Sequence, residues 1–317
     1  MLDPRQVKVF DVGSGEQHVH VADLLGHDGP VWQVAWAHPK FGTLLASCSH
    51  DHHVIVWREG PDNQWQQVYI TPADLHTASV NAVAWAPQEH GLCLAAGSSD
   101  GTVSVLEYAA ATATWSSVKL PGTHAVGVTA VTWAPAVPPG ALLSSKPPGA
   151  PIKALATAGC DNMVRTWRCP GPSTPGGPPG SAPPGVSGAW VQGEVLQGHS
   201  DWVRDVAWAP NPGLPRSTIA SGGQDGAVYA WSEQAAGGVA GGADVAAAGA
   251  GPAAAVGGGP PPPAIAWDRR LVHDFRPAAV WRVAWSTCGG VLAVTDGAAG
   301  VTLWREAVDG VWQQISQ

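Results

Sequence analysis

Charge is scarce in this chain. Asp, Glu, Lys and Arg make up 13% of the 317 residues, with 16 basic side chains against 24 acidic ones. A formal net charge of −8 argues against a nucleic-acid-binding surface, which needs a basic stripe to neutralise phosphates. Long apolar runs are also absent. None approaches the roughly 18 residues of a membrane-spanning helix. The N-terminus, MLDPRQVKVF, lacks the apolar segment of a secretory signal. The cysteines (Cys48, Cys93, Cys160, Cys169 and Cys288) form no Cys-x-x-Cys pair. A scattered, odd set fits a reducing compartment, where a thiol in a strand behaves as a small hydrophobe. No Gly-x-Ser-x-Gly elbow, phosphate-cradling loop or paired-carboxylate signature is present.

What is present is tryptophan, glycine and proline: 17, 40 and 29 residues respectively. That balance is turn-rich and all-β. It is inflated by two low-complexity stretches, 169–188 and 234–264, which cannot bury enough apolar surface to offset ordering entropy. They are expected to be mobile surface loops. Neutral expansion is preferred to a proline-rich docking site.

The order lies in a repeat, which decides the fold before any other signal. His27–Glu59 is its clearest copy: a His, the alternating segment Val31–Trp36, a small-residue strand from Leu44, a turn at His50-Asp51, and Val54–Trp57. Four further copies follow, built on NAVAWAP, TAVTWAP, RDVAWAP and WRVAW. In the first four copies His27, His76, His124 and His199 each lie nine residues before the Trp of the alternating segment. In the same four, Asp51, Asp100, Asp161 and Asp225 each lie six residues before a closing Trp57, Leu106, Trp167 or Trp231. The last copy has Ala298 at the Asp place and His273 twelve residues upstream of Trp285, so that unit is expected to rely on packing.

Each copy supplies four strands, the fourth opened by Trp65, Trp115, Trp190, Trp267 or Trp312. Trp32, Trp202 and Trp281 stand an even number of residues before a first-strand Trp, so simple alternation puts them on its face. Residues 1–25 hold only two strand-like segments, Val7–Val12 and His18–Asp23. The chain therefore reads as starting halfway through a unit.

A repeated four-stranded antiparallel unit of this length is a WD-repeat blade. The chain is expected to be one all-β domain: an open six-bladed propeller with an incomplete first blade at 1–25 and five blades over 26–317. The His, the turn Asp, a second-strand Ser (candidates Ser49 and Ser98) and the third-strand Trp resemble the polar network of such blades. Recurrence once per blade marks this trio as structural, whereas an active site occurs once. Catalytic, metal and cofactor sites are not expected. The His50–His53 run is unpromising as a metal site, because Asp51 is committed to the turn and neighbouring strand residues face opposite ways.

The phrases GHDGPVWQVAWAHPKFGTLLASCSHD, TASVNAVAWAPQEHGLCLAAGSSDG, HSDWVRDVAWAPNPGLPRSTIAS and VTLWREAVDGVW carry more than the generic repeat. They resemble the Sec-thirteen family, the small propeller subunit of the COPII outer coat and of the nuclear pore Y-complex. That resemblance implies a non-enzymatic scaffold in which a large α-solenoid subunit inserts a β segment as a further blade. It implies protein–protein contact only, with no direct nucleic-acid contact. It also implies peripheral membrane association through the coat, and a place at the endoplasmic reticulum, on COPII vesicles and at the nuclear pore. The receiving edge is expected at Val7, Val9 and Val12 on one side and Val301, Leu303, Val311 and Ile315 on the other. Family members carry about half a blade more before Val7, so either this sequence is an incomplete version of the gene product, the preferred reading, or the first blade is rebuilt by something else. The alternatives are a generic WD-repeat adaptor binding a peptide at the channel mouth and the paralogous nuclear-pore propeller.

Overall fold

The computed structural model describes residues 3–13, 18–120, 122–143, 151–170, 189–234, 266–298 and 300–316. Both low-complexity stretches lie almost wholly outside these residues. Strands β1 (Val7–Val12) and β2 (His18–Leu24) form a two-stranded antiparallel sheet. Five four-stranded antiparallel sheets follow, each in simple meander order. The first contains β3 (Val31–Trp36), β4 (Leu44–Ser49), β5 (Val54–Glu59) and β6 (Trp65–Ile70). The second contains β7 (Val80–Trp85), β8 (Cys93–Ser98), β9 (Val103–Ala109) and β10 (Thr114–Lys119). The third contains β11 (Val128–Trp133), β12 (Lys153–Gly159), β13 (Met163–Cys169) and β14 (Val191–Gln197). The fourth contains β15 (Val203–Trp208), β16 (Thr218–Gly223), β17 (Ala227–Gln234) and β18 (Ala266–Asp274). The fifth contains β19 (Val280–Trp285), β20 (Leu292–Asp296), β21 (Val301–Glu306) and β22 (Trp312–Ser316).

These sheets are blades. The inner strands pack in sequence, β3 on β7, β7 on β11, β11 on β15 and β15 on β19. Each second and third strand sends alternate residues to opposite neighbours, as period-2 side-chain geometry requires. Leu44, Ala46, Cys48, Val54 and Val56 face forward and meet Val80, Val83, Leu94, Ala96 and Leu106 of the next blade. The same forward-to-backward pairing recurs at the next two junctions and at the last one. Small residues such as Ala46, Ala96, Ala156 and Ala220 are fully buried between sheets, which lets the blades approach closely. The β1–β2 sheet joins the series through Val7 and Leu24, packed against Leu45, Ile55 and Trp57.

A second repeated device closes one end of each blade. The first-strand Trp and the Trp that opens the fourth strand lie with ring centroids 5.8 Å (Trp36–Trp65), 6.4 Å (Trp85–Trp115), 6.0 Å (Trp133–Trp190), 5.8 Å (Trp208–Trp267) and 6.0 Å (Trp285–Trp312) apart. Tilted aromatic pairs of this kind add to the apolar burial.

One expectation fails here. Every inner strand carries a register shift after its first residue, at Val31/Gln33, Val80/Ala82, Val128/Ala130, Val203/Asp205 and Val280/Arg282. The residue between is an extra one in a bulge, so alternation is broken. Trp32 and Trp281 therefore do not share the face of Trp36 and Trp285. Trp32 turns forward to Ser79, whereas the equivalents of Trp36 reach backward, as Trp85 does to the Ala35 carbonyl.

Candidate functional site

The repeated polar residues meet within each blade. His27 Nδ1 lies 2.7 Å from Asp51 Oδ2, and its Nε2 lies 2.8 Å from Ser47 Oγ. Trp57 donates its indole N–H to that hydroxyl at 2.9 Å. The third blade repeats the set with His124, Asp161, Thr157 and Trp167 at 2.7, 2.8 and 3.1 Å. The fourth repeats it with His199, Asp225, Ser221 and Trp231 at 3.0, 2.8 and 2.8 Å.

The hydroxyl is not the one read from the sequence. Ser47 joins the network, and Ser49 instead donates to the Gly29 carbonyl and accepts from Asp51 N. Ser98 likewise ties its turn, through Ala78 O and Asp100 N. The turn Ser stands near the Asp in sequence, but the pleat points the residue two positions earlier at the His. In the second blade Ala96 fills the place of Ser47, and Leu106 that of Trp57. There His76 Nε2 turns to Ser104 Oγ at 2.8 Å and its Nδ1 to Thr102 Oγ1 at 3.1 Å, with Asp100 3.7 Å away. In the last blade Trp304 donates to Thr302 Oγ1 at 2.8 Å and His273 stacks on Trp304 with centroids 4.7 Å apart. Ala298 stands at the turn Asp place there, and the Ala298 and Gly300 N–H groups donate to Asp296 Oδ1 instead.

Electrostatics fit a structural role. Burial holds the His27 imidazole below its ordinary value, and it carries His76 down to about 4, so both stand neutral in these networks. Burial opposes ionisation of Asp51, but hydrogen bonds from His53 N, His27 and Asp28 N outweigh it and keep the carboxyl below the usual range. The His–carboxylate pair recurs within 3.0 Å in three blades, so it belongs to the repeating fold and is no single site. Among the described residues no group of three or more His, Cys, Asp or Glu is placed to hold a metal ion. Among the described residues no helix is long and apolar enough to cross a membrane. All five cysteines are free thiols.

What distinguishes one part of the molecule is an uncovered edge. Val54, Val103, Val164, Val228 and Val301 each stand three residues before the third-strand Trp57, Leu106, Trp167, Trp231 or Trp304. The first four are 0% exposed, and Val301 is 55% exposed. Val301 and Leu303 lie on the forward face of the last blade, where no further sheet follows among the described residues. On the other side of the opening, Val7 and Val9 do not face the gap as expected. They pack forward against Ile55 and Trp57. Phe10, which the sequence reading missed, turns the other way and is 48% exposed. Comparing it with Trp57, the residue in the same strand position, could have found it. Val12, Val311 and Ile315 are exposed, and Leu303 is half-buried.

Five meander blades with recurrent His–Asp–Ser/Thr–Trp networks, stacked around an open ring, define a WD-repeat propeller. The family pattern described as WD domain, G-beta repeat, matches residues 190–232, and that of the anaphase-promoting complex subunit 4 WD40 domain matches residues 34–136. The chain is 40% identical to the Protein SEC13 homolog of Drosophila melanogaster, over 98% of this chain and 74% of that protein. It is 41% identical to the Protein transport protein SEC13 of Mycosarcoma maydis, over 99% and 86%. With the protein transport protein sec13 of Aspergillus fumigatus it shares 38% identity over 98% and 88%. The chain belongs to the SEC13 family.

Proposed function

We propose that the chain is a non-enzymatic structural scaffold of the COPII outer coat, acting in protein transport from the endoplasmic reticulum to the Golgi. Its mechanism is blade completion. An α-solenoid subunit contributes a β segment that fills the opening between the forward face of Val301 and Leu303 and the backward face of Phe10. Main-chain hydrogen bonds to the sheet edge give affinity, and apolar pockets give register. The observation that carries this reading is the 55% exposure of Val301 beside four fully buried counterparts. The names of the relatives, which are protein transport proteins, support the same direction. Membrane association is peripheral, through the coat. The same propeller joins the nuclear pore Y-complex by the same mechanism, without touching nucleic acid.

Co-expression with the solenoid subunit of the outer coat tests this. A stable complex is expected in which Val301 becomes protected from solvent. Recovery of the chain as a free monomer, with no coat or pore solenoid in the co-purified material, overturns it.

A further inference from the structure

The second residue of each inner strand is the bulged one, and in four of the five it reaches forward to the start of the next blade. Trp32 Nε1 donates to Ser79 Oγ at 2.8 Å. Asn81 Nδ2 donates to the Val128 carbonyl at 2.9 Å. Thr129 Oγ1 donates to the Val203 carbonyl at 2.6 Å. Arg204 stacks its guanidinium 4.6 Å from the Trp281 ring, braced by Gln224 Oε1 at 2.8 Å. In four blades, then, this one position clasps the following blade. Three of the four contacts are hydrogen bonds onto an oxygen at the first residue of the next inner strand or the residue before it.

The fifth residue at this position is Trp281. It is 50% exposed. Its indole N–H meets no acceptor among the described residues, and no described strand lies forward of it. Arg204 already holds the ring in place. An indole presents a flat apolar face together with a single strong donor, which is the composition of an interface anchor. Tryptophan stands at this position only in β3 and β19, the inner strands of the first and last four-stranded blades; the three strands between them carry Asn81, Thr129 and Arg204.

We propose that Trp281 is the docking residue for the inner strand of the inserted blade. Its N–H donates to an oxygen at the first residue of that strand, or at the residue just before it, and its ring covers that strand's apolar side chains. The occupant is therefore a β-strand that begins with a hydroxyl-bearing residue or an unhindered main-chain carbonyl. The contact fixes where the strand starts along the channel axis, and so sets its register. This assignment rests on the blade-completion reading and adds the residue that selects the register.

The test uses the full chain and a fragment of the outer-coat solenoid subunit that carries its β segment. Affinity is compared for the wild type, Trp281→Phe, Trp281→Ala and Val118→Ala. Trp281→Phe keeps an aromatic face and loses only the donor, so binding is expected to weaken by about tenfold. Trp281→Ala is expected to weaken it further. Val118→Ala, an exposed change on β10 of the second blade, should bind as the wild type does. In parallel, the Trp281 indole N–H resonance of nitrogen-labelled protein should become protected from hydrogen exchange on addition of the fragment. Wild-type affinity in Trp281→Phe, or an indole N–H that exchanges equally fast in the complex, overturns the assignment while leaving blade completion standing. Failure of the wild type to bind the fragment removes blade completion, and this assignment with it.

Discussion

Val228 and Val301 occupy the same place in consecutive blades, yet Val228 is sealed and Val301 is half in solvent. Val228 packs against Val280, Val283 and Leu292 of the blade that follows. Among the described residues no blade follows Val301. The difference between the two is the open edge, stated in one residue type. Val228→Thr is expected to cost about 1–3 kcal/mol, because a hydroxyl is buried without a partner. Val301→Thr should stay within about 0.5 kcal/mol in the isolated chain, since surface changes rarely do more. Thermal denaturation of the two variants measures the contrast. Equal losses would show that the Val301 face is covered.

Removing the blade hydroxyl should be expensive. Ser47 accepts from Trp57 and meets His27 Nε2 at the same oxygen. Ser47→Ala leaves two buried polar groups unpaired, at about 1–3 kcal/mol each before relaxation. Ser49→Ala touches only the turn and should cost less. Chemical denaturation midpoints with an unchanged slope decide the order.

The neutral histidines make stability depend on pH in a defined direction. His76 is held near 4 when folded, against about 6.5 when unfolded. The unfolded chain therefore binds the proton first, and stability present above about 6.5 is lost as pH falls toward 4. His27 acts in the same direction. A melting temperature that declines over this window, with a shallower decline in His76→Gln, is expected. A flat profile over this window contradicts the assignment of neutral imidazoles.

Thiol reactivity should be divided in two. Burial pushes the Cys48 and Cys93 thiols up to about 12, so both are inert while the protein is folded. Cys288 is exposed, and a contact with Ser286 together with the Gly290 N–H lowers its thiol below the ordinary value. An aromatic disulfide reagent should modify Cys288 quickly, and modify Cys48 and Cys93 only after unfolding.

The isolated chain should gain stability from its partner. Val301, Phe10, Trp36 and Val34 leave apolar surface uncovered around the opening. Co-expression with the blade-donating subunit is expected to raise soluble yield and melting temperature. A monomer that is equally soluble and stable alone would argue against an open edge.

Much of this architecture was legible in one dimension. The spacing from His27 to Trp36 and from Asp51 to Trp57 located each blade, because turns and meanders are local and repeat with the chain. The network hydroxyl was misplaced by two residues. Sequence proximity to Asp51 favoured Ser49, whereas the pleat of β4 directs Ser47 to the histidine. The residues named for a partner edge behave differently from one another. Val301 is exposed and Leu303 half-buried on the last blade, Val7 and Val9 pack into the next blade, and Phe10 is exposed on the opposite side of its strand.

The sequence alone therefore determined the identity of the repeating unit, its four strands and the His and Asp of its polar network, all of which depend on residues within one blade. It could not determine which face of a given strand is covered. Val54 and Val301 are the same residue in the same local pattern, and only the presence or absence of a neighbouring sheet separates them. The forward reach of Trp32, Asn81 and Thr129 was hidden for the same reason. A one-residue bulge reverses the side-chain direction, and only the assembled ring shows where each clasp lands.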